Sequence, residues 1–192
     1  MNSIANNFLA DSGGPAPTVE LTEFGDFTCA QCRRSRALLV SILTVFNGRV
    51  RYTYRYFPQE QNEASKMAAV AAEAARRQGQ FWPMYQALFA QPMITRSTLS
   101  ILAIHLGLHH QQFLADLDDE ELHHRIEVDR CEGYQLGVMT TPTFFVGGQR
   151  FYGKLTQSRL APIVHSQLSH YDQPVLSKVD VSTGVIYWGR GE

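Results

Sequence analysis

The chain has 192 residues, of which 44% are hydrophobic, 11% aromatic and 18% charged, a size that favours one domain with a sizeable buried core. Lys plus Arg (17) nearly balances Asp plus Glu (18), and the net charge of −1 argues against a broadly basic nucleic-acid binder and against an acidic disordered tail. The best apolar run, Ala37 to Phe46, is broken by Ser41 and Thr44 and is far shorter than the roughly 20 residues of a membrane span, so membrane insertion is not expected. Three cysteines are too few for a disulfide-stapled scaffold, and their odd number leaves at least one unpaired within the chain.

Residues 1–17 read as a flexible leader. No Lys or Arg precedes Arg33, and Met1 to Pro17 contains no apolar run of the kind an export signal needs. The expectation is a cytoplasmic location, unless a leader has been removed. Val19, Leu21 and Glu23 then alternate with Glu20, Thr22 and Phe24 as a strand. A helix is expected from about Cys29 to Asn47, stopped by Gly48, with Cys32, Leu39, Ile42, Leu43 and Phe46 as its buried stripe. Val50 to Phe57 reads as a second strand closed by Pro58, with the tyrosines at 52, 54 and 56 on one packed face. Strand, helix and strand in so short a span predict a right-handed crossover and parallel strands.

The middle of the chain is helical by pattern, over Ala64–Arg77, Phe81–Ala90, Thr98–Leu106 and His109–Leu117, and then from a capping box at Asp118 and Glu121 to about Leu136. Thr143–Val146 and Gln149–Tyr152 flank Gly147-Gly148, a hairpin signal. Thr156–His170 reads as another helix, and Val175–Trp188 as a weaker hairpin about Ser182-Thr183-Gly184. The expected organisation is one α/β domain over residues 18–172, with a helical insertion at about 59–136 and a tail over 173–192.

Chemistry concentrates at Cys29-Ala30-Gln31-Cys32, between the first strand and the first helix. With Thr28 as N-cap, Cys29 would sit at the first helical position, where free backbone N–H groups and the helix dipole favour a thiolate and lower its pKa. Cys32, one turn later on the apolar stripe, should be shielded. An exposed nucleophile and a shielded resolving thiol are what reversible dithiol–disulfide exchange needs.

Glu23-Phe24-Gly25-Asp26-Phe27-Thr28-Cys29-Ala30-Gln31-Cys32, then Gly79-Gln80-Phe81-Trp82, then Gly137-Val138-Met139-Thr140-Thr141-Pro142-Thr143-Phe144-Phe145-Val146-Gly147-Gly148 together resemble the DsbA-like thioredoxin-fold family, over roughly Val19 to His170. The resemblance implies a thioredoxin fold with a helical insertion, thiol–disulfide exchange with protein or peptide substrates, an unidentified redox recycling partner, and no metal or organic cofactor. It also implies that Pro142 is a cis-proline facing the cysteines, that Thr141 pairs with an extended substrate strand, and that Glu23 is a buried carboxylate relaying a proton to Cys32. A peptide-binding or chaperone-like module without turnover is the alternative reading of such a fold. A glutathione-conjugating relative is a weaker third.

Gln31 stands where strongly oxidising relatives have a His, so one cationic stabiliser of the Cys29 thiolate is missing. Arg33, Arg34, Arg36, Arg49, Arg51 and Arg55 could compensate, or could simply be solvated. The pairs His109-His110 and His123-His124 point about 100° apart on a helix, a poor arrangement for chelation. Cys131 is expected to be a small buried helix residue.

Overall fold

The computed structural model describes residues 19–46, 49–152, 155–171, 175–180 and 185–189, with side chains as far as Ser169. The expected leader, the Gly48 stop and the Ser182–Gly184 turn lie outside the described residues. β1 (Val19–Gly25), α1 (Ala30–Phe46) and β2 (Val50–Tyr56) form the expected unit, and β1 and β2 pair in parallel from Val19 opposite Val50 to Gly25 opposite Tyr56. Five helices follow: α2 (Glu63–Arg77), α3 (Phe81–Ala90), α4 (Arg96–His105), α5 (His110–Asp116) and α6 (Glu120–Gln135). The chain then returns to the sheet as β3 (Thr143–Val146) and β4 (Gln149–Phe151), and continues into α7 (Gln157–Tyr171). β5 (Val175–Asp180) and β6 (Val185–Gly189) form a separate antiparallel pair.

The main sheet has the order β2-β1-β3-β4, so β1 is an interior strand, with β3 antiparallel on its other side and Phe144 opposite Glu23. Gly147 and Gly148 both have positive φ (54° and 78°), as a tight hairpin between β3 and β4 requires. The period of two divides β1 and β3 between two cores. Val19, Leu21, Tyr52, Tyr54, Phe144 and Val146 face the larger one, together with the α1 stripe and the alanines of α2. Phe24, Phe57, Val138 and Phe145 form the smaller one on the opposite face. There α6 approaches closely because Gly133 has no side chain; a Cβ at that position would lie 2.8 Å from the Phe57 ring.

Several helix starts follow side-chain caps. Asn62 accepts from the Ser65 N–H at 3.1 Å, and Thr95 forms a reciprocal box with Thr98. At α6 the cap is Asp119, which accepts from the Glu121 N–H at 2.8 Å, one residue later than expected. Asp118 is drawn away by a salt bridge to Arg96 on α4.

One buried carboxylate ties α6 to the end of β2. Asp129, fully buried, accepts from Arg55 Nε at 2.6 Å, from the Tyr56 N–H at 3.0 Å and from Arg125 one turn earlier. Asp129→Ala would leave the Arg125 guanidinium and the Tyr56 N–H without this acceptor and Arg55 with Glu132 alone, and a loss of about 3 kcal/mol in urea unfolding is expected.

Candidate active site

The loop from β1 to α1 is organised by Asp26, whose Oδ1 accepts from the Thr28 N–H at 2.7 Å and the Thr28 hydroxyl at 2.9 Å. Its carbonyl accepts from the Cys29 N–H at 3.1 Å. Thr28 is held in this turn, one residue before the helix cap. Cys29 itself occupies the N-cap position, since α1 begins at Ala30 and the Cys29 carbonyl accepts from the Arg33 N–H. The sulfur still faces the free N–H groups of the first turn. Cys32 is fully buried on the α1 stripe beside Leu39 and Ile42.

The two sulfurs have opposite electrostatics. A hydrogen bond from the Cys32 thiol, with further ones from Thr141 and from the backbone N–H groups of Cys32 and Gln31, outweighs partial burial and lowers the Cys29 thiol to about 5. Cys32 moves the other way, well above an ordinary thiol, because its proton is held by Cys29, because it is desolvated and because the charge of Glu23 lies close by. All three cysteines are free, and Cys131 is exposed on α6, not buried as its helical setting suggested.

Glu23 is 1% exposed. Burial raises its carboxyl to about 7 against the lowering effect of a hydrogen bond from the Tyr52 hydroxyl, which donates to Oε2 at 2.6 Å. Its other oxygen, Oε1, is buried without a hydrogen-bond partner. The Tyr52 hydroxyl also lies 3.2 Å from that of Tyr85 on α3.

The β3 approach completes the site. The Thr141–Pro142 peptide bond is cis, and the Thr141 carbonyl accepts from the Cys29 thiol with Sγ at 3.3 Å. Two grooves meet at Thr141. One, of about 590 Å³, includes Cys29 and is floored by Phe57, Pro58, Tyr134 and Met139, with Glu60 at its wall. The other, of about 770 Å³, runs past Pro142 over Leu38, Phe144 and Leu155, with Gln31 and Arg34 at its rim.

The structure thus brings Cys29, Cys32, Glu23, Thr141 and Pro142 into one region, though they come from β1, α1 and the turn before β3. None of the arginines is among the main causes that lower Cys29. Arg33 donates to the Gln91 carbonyl and Arg34 to the Gln31 side chain, Arg36 lies over the Tyr85 and Phe89 rings, and Arg55 is held by Asp129 and Glu132. Sequence reasoning passed over Asp26, Tyr52 and Tyr85. The Asp-x-Thr spacing of an Asx turn was a readable signal for Asp26; Tyr85 had none. Among the described residues, no group of three or more His, Cys, Asp and Glu could hold a metal ion.

Residues 11–166 match the thioredoxin family. The chain is 37% identical over 134 residues to the Na(+)/H(+) antiporter NhaA of Herminiimonas arsenicoxydans, a match that covers 69% of this chain and 21% of that protein. The chain therefore spans about a fifth of the length of this curated relative. Among the described residues, no helix is long and apolar enough to cross a membrane. A thioredoxin-like oxidoreductase from Silicibacter pomeroyi DSS-3 superposes with a TM-score of 0.72 at 28% identity, over 88% of this chain and 99% of that one. The thiol-disulfide exchange protein alpha-DsbA2 from Wolbachia pipientis has the same fold, with a TM-score of 0.70 at 21% identity over 84% and 91% of the two chains.

The expected cytoplasmic location is overturned. A periplasmic thioredoxin-like protein from Salmonella enterica serovar Typhimurium has the same fold, with a TM-score of 0.67 at 20% identity over 88% of this chain and 98% of its own. The expectation rested on the polarity of residues 1–17, which is no property of the folded domain. The fold is that of DsbA-like thiol–disulfide oxidoreductases, and the chain belongs to the thioredoxin family.

Proposed function

We propose that this protein is a thiol–disulfide oxidoreductase that exchanges disulfides with protein or peptide substrates through Cys29 and Cys32. The observation that carries the reading is the opposed behaviour of two sulfurs one helical turn apart: a half-exposed thiol lowered to about 5 and a buried one pushed up. In the dithiol form the Cys29 thiolate attacks a substrate disulfide, forming a mixed disulfide and releasing one substrate thiolate. Cys32 then gives its proton to the Glu23 carboxylate and attacks the Cys29 sulfur. The second substrate thiolate leaves, and the protein has passed two electrons to the substrate. The reverse sequence oxidises a substrate dithiol.

Thr141 and Pro142 are the substrate-binding residues in this reading. When Cys29 ionises, it no longer donates to the Thr141 carbonyl, which is then open to an N–H of an extended peptide lying across the two grooves. A stabilised Cys29 thiolate stabilises the dithiol form, and this tilts the Cys29–Cys32 disulfide toward oxidising its substrate. A module that binds peptides without turnover would make no use of so low a thiol at Cys29.

Iodoacetamide labelling followed across pH and read by peptide mass spectrometry should show Cys29 reacting with a midpoint near 5 and Cys32 protected in the native dithiol. Cys29→Ser should abolish insulin reduction, whereas Cys131→Ser should not. Preferential labelling of Cys32, or turnover by Cys29→Ser, would contradict the proposal.

Glu23 gives a pH test of a different kind. Its folded carboxyl lies at about 7, above an ordinary carboxyl, so the fold favours the protonated form. That contribution is complete below the unfolded value and is lost as pH rises through about 7. Glu23→Gln, which cannot ionise, should therefore gain stability relative to wild type by about 2 kcal/mol between pH 5 and pH 8. Urea unfolding of the reduced proteins measures it. The same variant should slow closure of the Cys29–Cys32 disulfide.

A further inference from the structure

The reading of Glu23 as the group that takes the Cys32 proton leaves a question of supply. A carboxyl sealed under the sheet needs a path to solvent if its ionisation is to follow the pH of the medium. The hydrogen bonds around it offer a route on the side of β2. Tyr52 donates to Glu23 Oε2 at 2.6 Å, and a phenol has a single hydrogen, so the 3.2 Å contact between the two phenols is then the Tyr85 hydroxyl donating to Tyr52. With Glu23 protonated on Oε2 the chain can reverse, the carboxyl donating to Tyr52 and Tyr52 to Tyr85. In either protonation state the hydrogen bond between Oε2 and the Tyr52 hydroxyl is kept.

Tyr52 also belongs to the wall of a second space. β2 is an edge strand, and along it a cavity of about 220 Å³ is lined by Arg51, Tyr52, Trp82 and Arg76, with neither cysteine in its wall. Tyr52 is thus common to the Glu23 hydrogen bond and to this cavity. We propose that Tyr52 is a positioning residue for Glu23, and that its hydroxyl, chained to Tyr85, passes protons between the buried carboxyl and the cavity at the β2 edge.

The transfer balances without a charged phenol. A water in the cavity gives a proton to the Tyr52 oxygen as the Tyr52 hydrogen passes to the Glu23 carboxylate, which leaves a neutral phenol, a carboxylic acid and a hydroxide that takes up a proton from bulk solvent. The reverse discharges the carboxyl. The other groups acting on Glu23 do not duplicate the path. From the α1 end, Cys29 and Cys32 hold the exchanging thiols, and Arg36 acts through charge alone, with its guanidinium over the Tyr85 ring. Tyr54 of β2 stands opposite Glu23 in register, with its hydroxyl buried and unpartnered. β3 presents Phe144, and α7 packs on β1 with Leu160 and Val164 buried.

The test uses Tyr52→Phe in the full chain with Cys131→Ser, so that the exposed thiol does not react. Infrared titration of the Glu23 carboxyl stretch, identified by its loss in Glu23→Gln, gives the midpoint in the reduced protein. It should lie near 7 in wild type and rise by about one pH unit in Tyr52→Phe, because the hydrogen bond to the charged form is gone. Stopped-flow reaction with 5,5′-dithiobis(2-nitrobenzoate) then separates the two chemical steps, the first thiol released reporting Cys29 attack and the second reporting Cys32 closure. At pH values chosen for equal ionisation of Glu23, a slower second phase in Tyr52→Phe reports lost positioning of the carboxylate. The rate at which the Glu23 carboxyl stretch appears after a rapid pH jump from about 8 to about 6 reports the relay, and that rate should be about tenfold slower in Tyr52→Phe. An unchanged midpoint, or a protonation rate within about twofold of wild type, overturns the proposal. Should Tyr52→Phe fail to fold, Tyr85→Phe must move both readouts in the same direction by a smaller amount, or the proposal is overturned. A wild type that releases no second thiol would instead refute the exchange reading itself, and the infrared midpoint alone would decide the hold of Tyr52 on Glu23.

Discussion

Two sulfurs one helical turn apart are drawn to opposite protonation states, Cys29 toward the thiolate and Cys32 toward the thiol, and the rest of the site is arranged around that difference. Cys29 lies over the open N–H groups of the first turn of α1, so negative charge is favoured there. Cys32 lies on the apolar stripe of the same helix, so charge there is opposed by burial. The Cys32 hydrogen is therefore held toward Cys29, and the same hydrogen bond lowers one thiol and raises the other. Separating these two effects would require moving one cysteine off the helix, which is why a pair three residues apart at a helix start suits this chemistry.

The sheet supplies what the helix cannot. Because β1 is interior, Glu23 is covered by strands on both sides and by helices above its face, and its carboxyl rises into the neutral range. The parallel register of β1 and β2 brings the alternating tyrosines onto the Glu23 side, and α3 adds Tyr85 from above. On the other face, Asp129 and Gly133 hold α6 against the end of β2, and this fixes the chain at Phe57 and Pro58 that floors one groove beside Cys29. A salt bridge and a missing side chain on α6, neither touching a sulfur, thus shape the approach to the site.

Much of this was legible because it depends on short-range pattern. The β1 alternation, the five-residue stripe of α1, the Phe81–Ala90 helix and the Gly147-Gly148 turn follow from periodicity and from glycine's access to positive φ. What was not legible depends on competition between partners. Thr28 caps nothing because its turn with Asp26 starts the helix one residue later, with Cys29 at the N-cap, and Asp118 yields its capping role to Asp119 because Arg96 reaches it from another helix. The arginines near the cysteines were a plausible field for the thiolate until their guanidinium groups were seen to point at carbonyls, carboxylates and rings. The Tyr52–Tyr85 contact links β2 to α3 across 33 residues, and no local pattern encodes it.

The central claim is that Cys29 and Cys32 form a redox couple whose dithiol state is favoured by a stabilised thiolate. The most direct measurement is the reduction potential of that pair, from equilibration in glutathione buffers with the disulfide fraction read by alkylation and mass spectrometry. A thiol at about 5 lies between the roughly 7 of thioredoxin and the roughly 3.5 of DsbA. The account predicts a reversible two-electron couple between roughly −270 and −120 mV, the values of those two proteins. A potential below that interval, or a Cys29–Cys32 disulfide that does not form at any glutathione ratio, would contradict it.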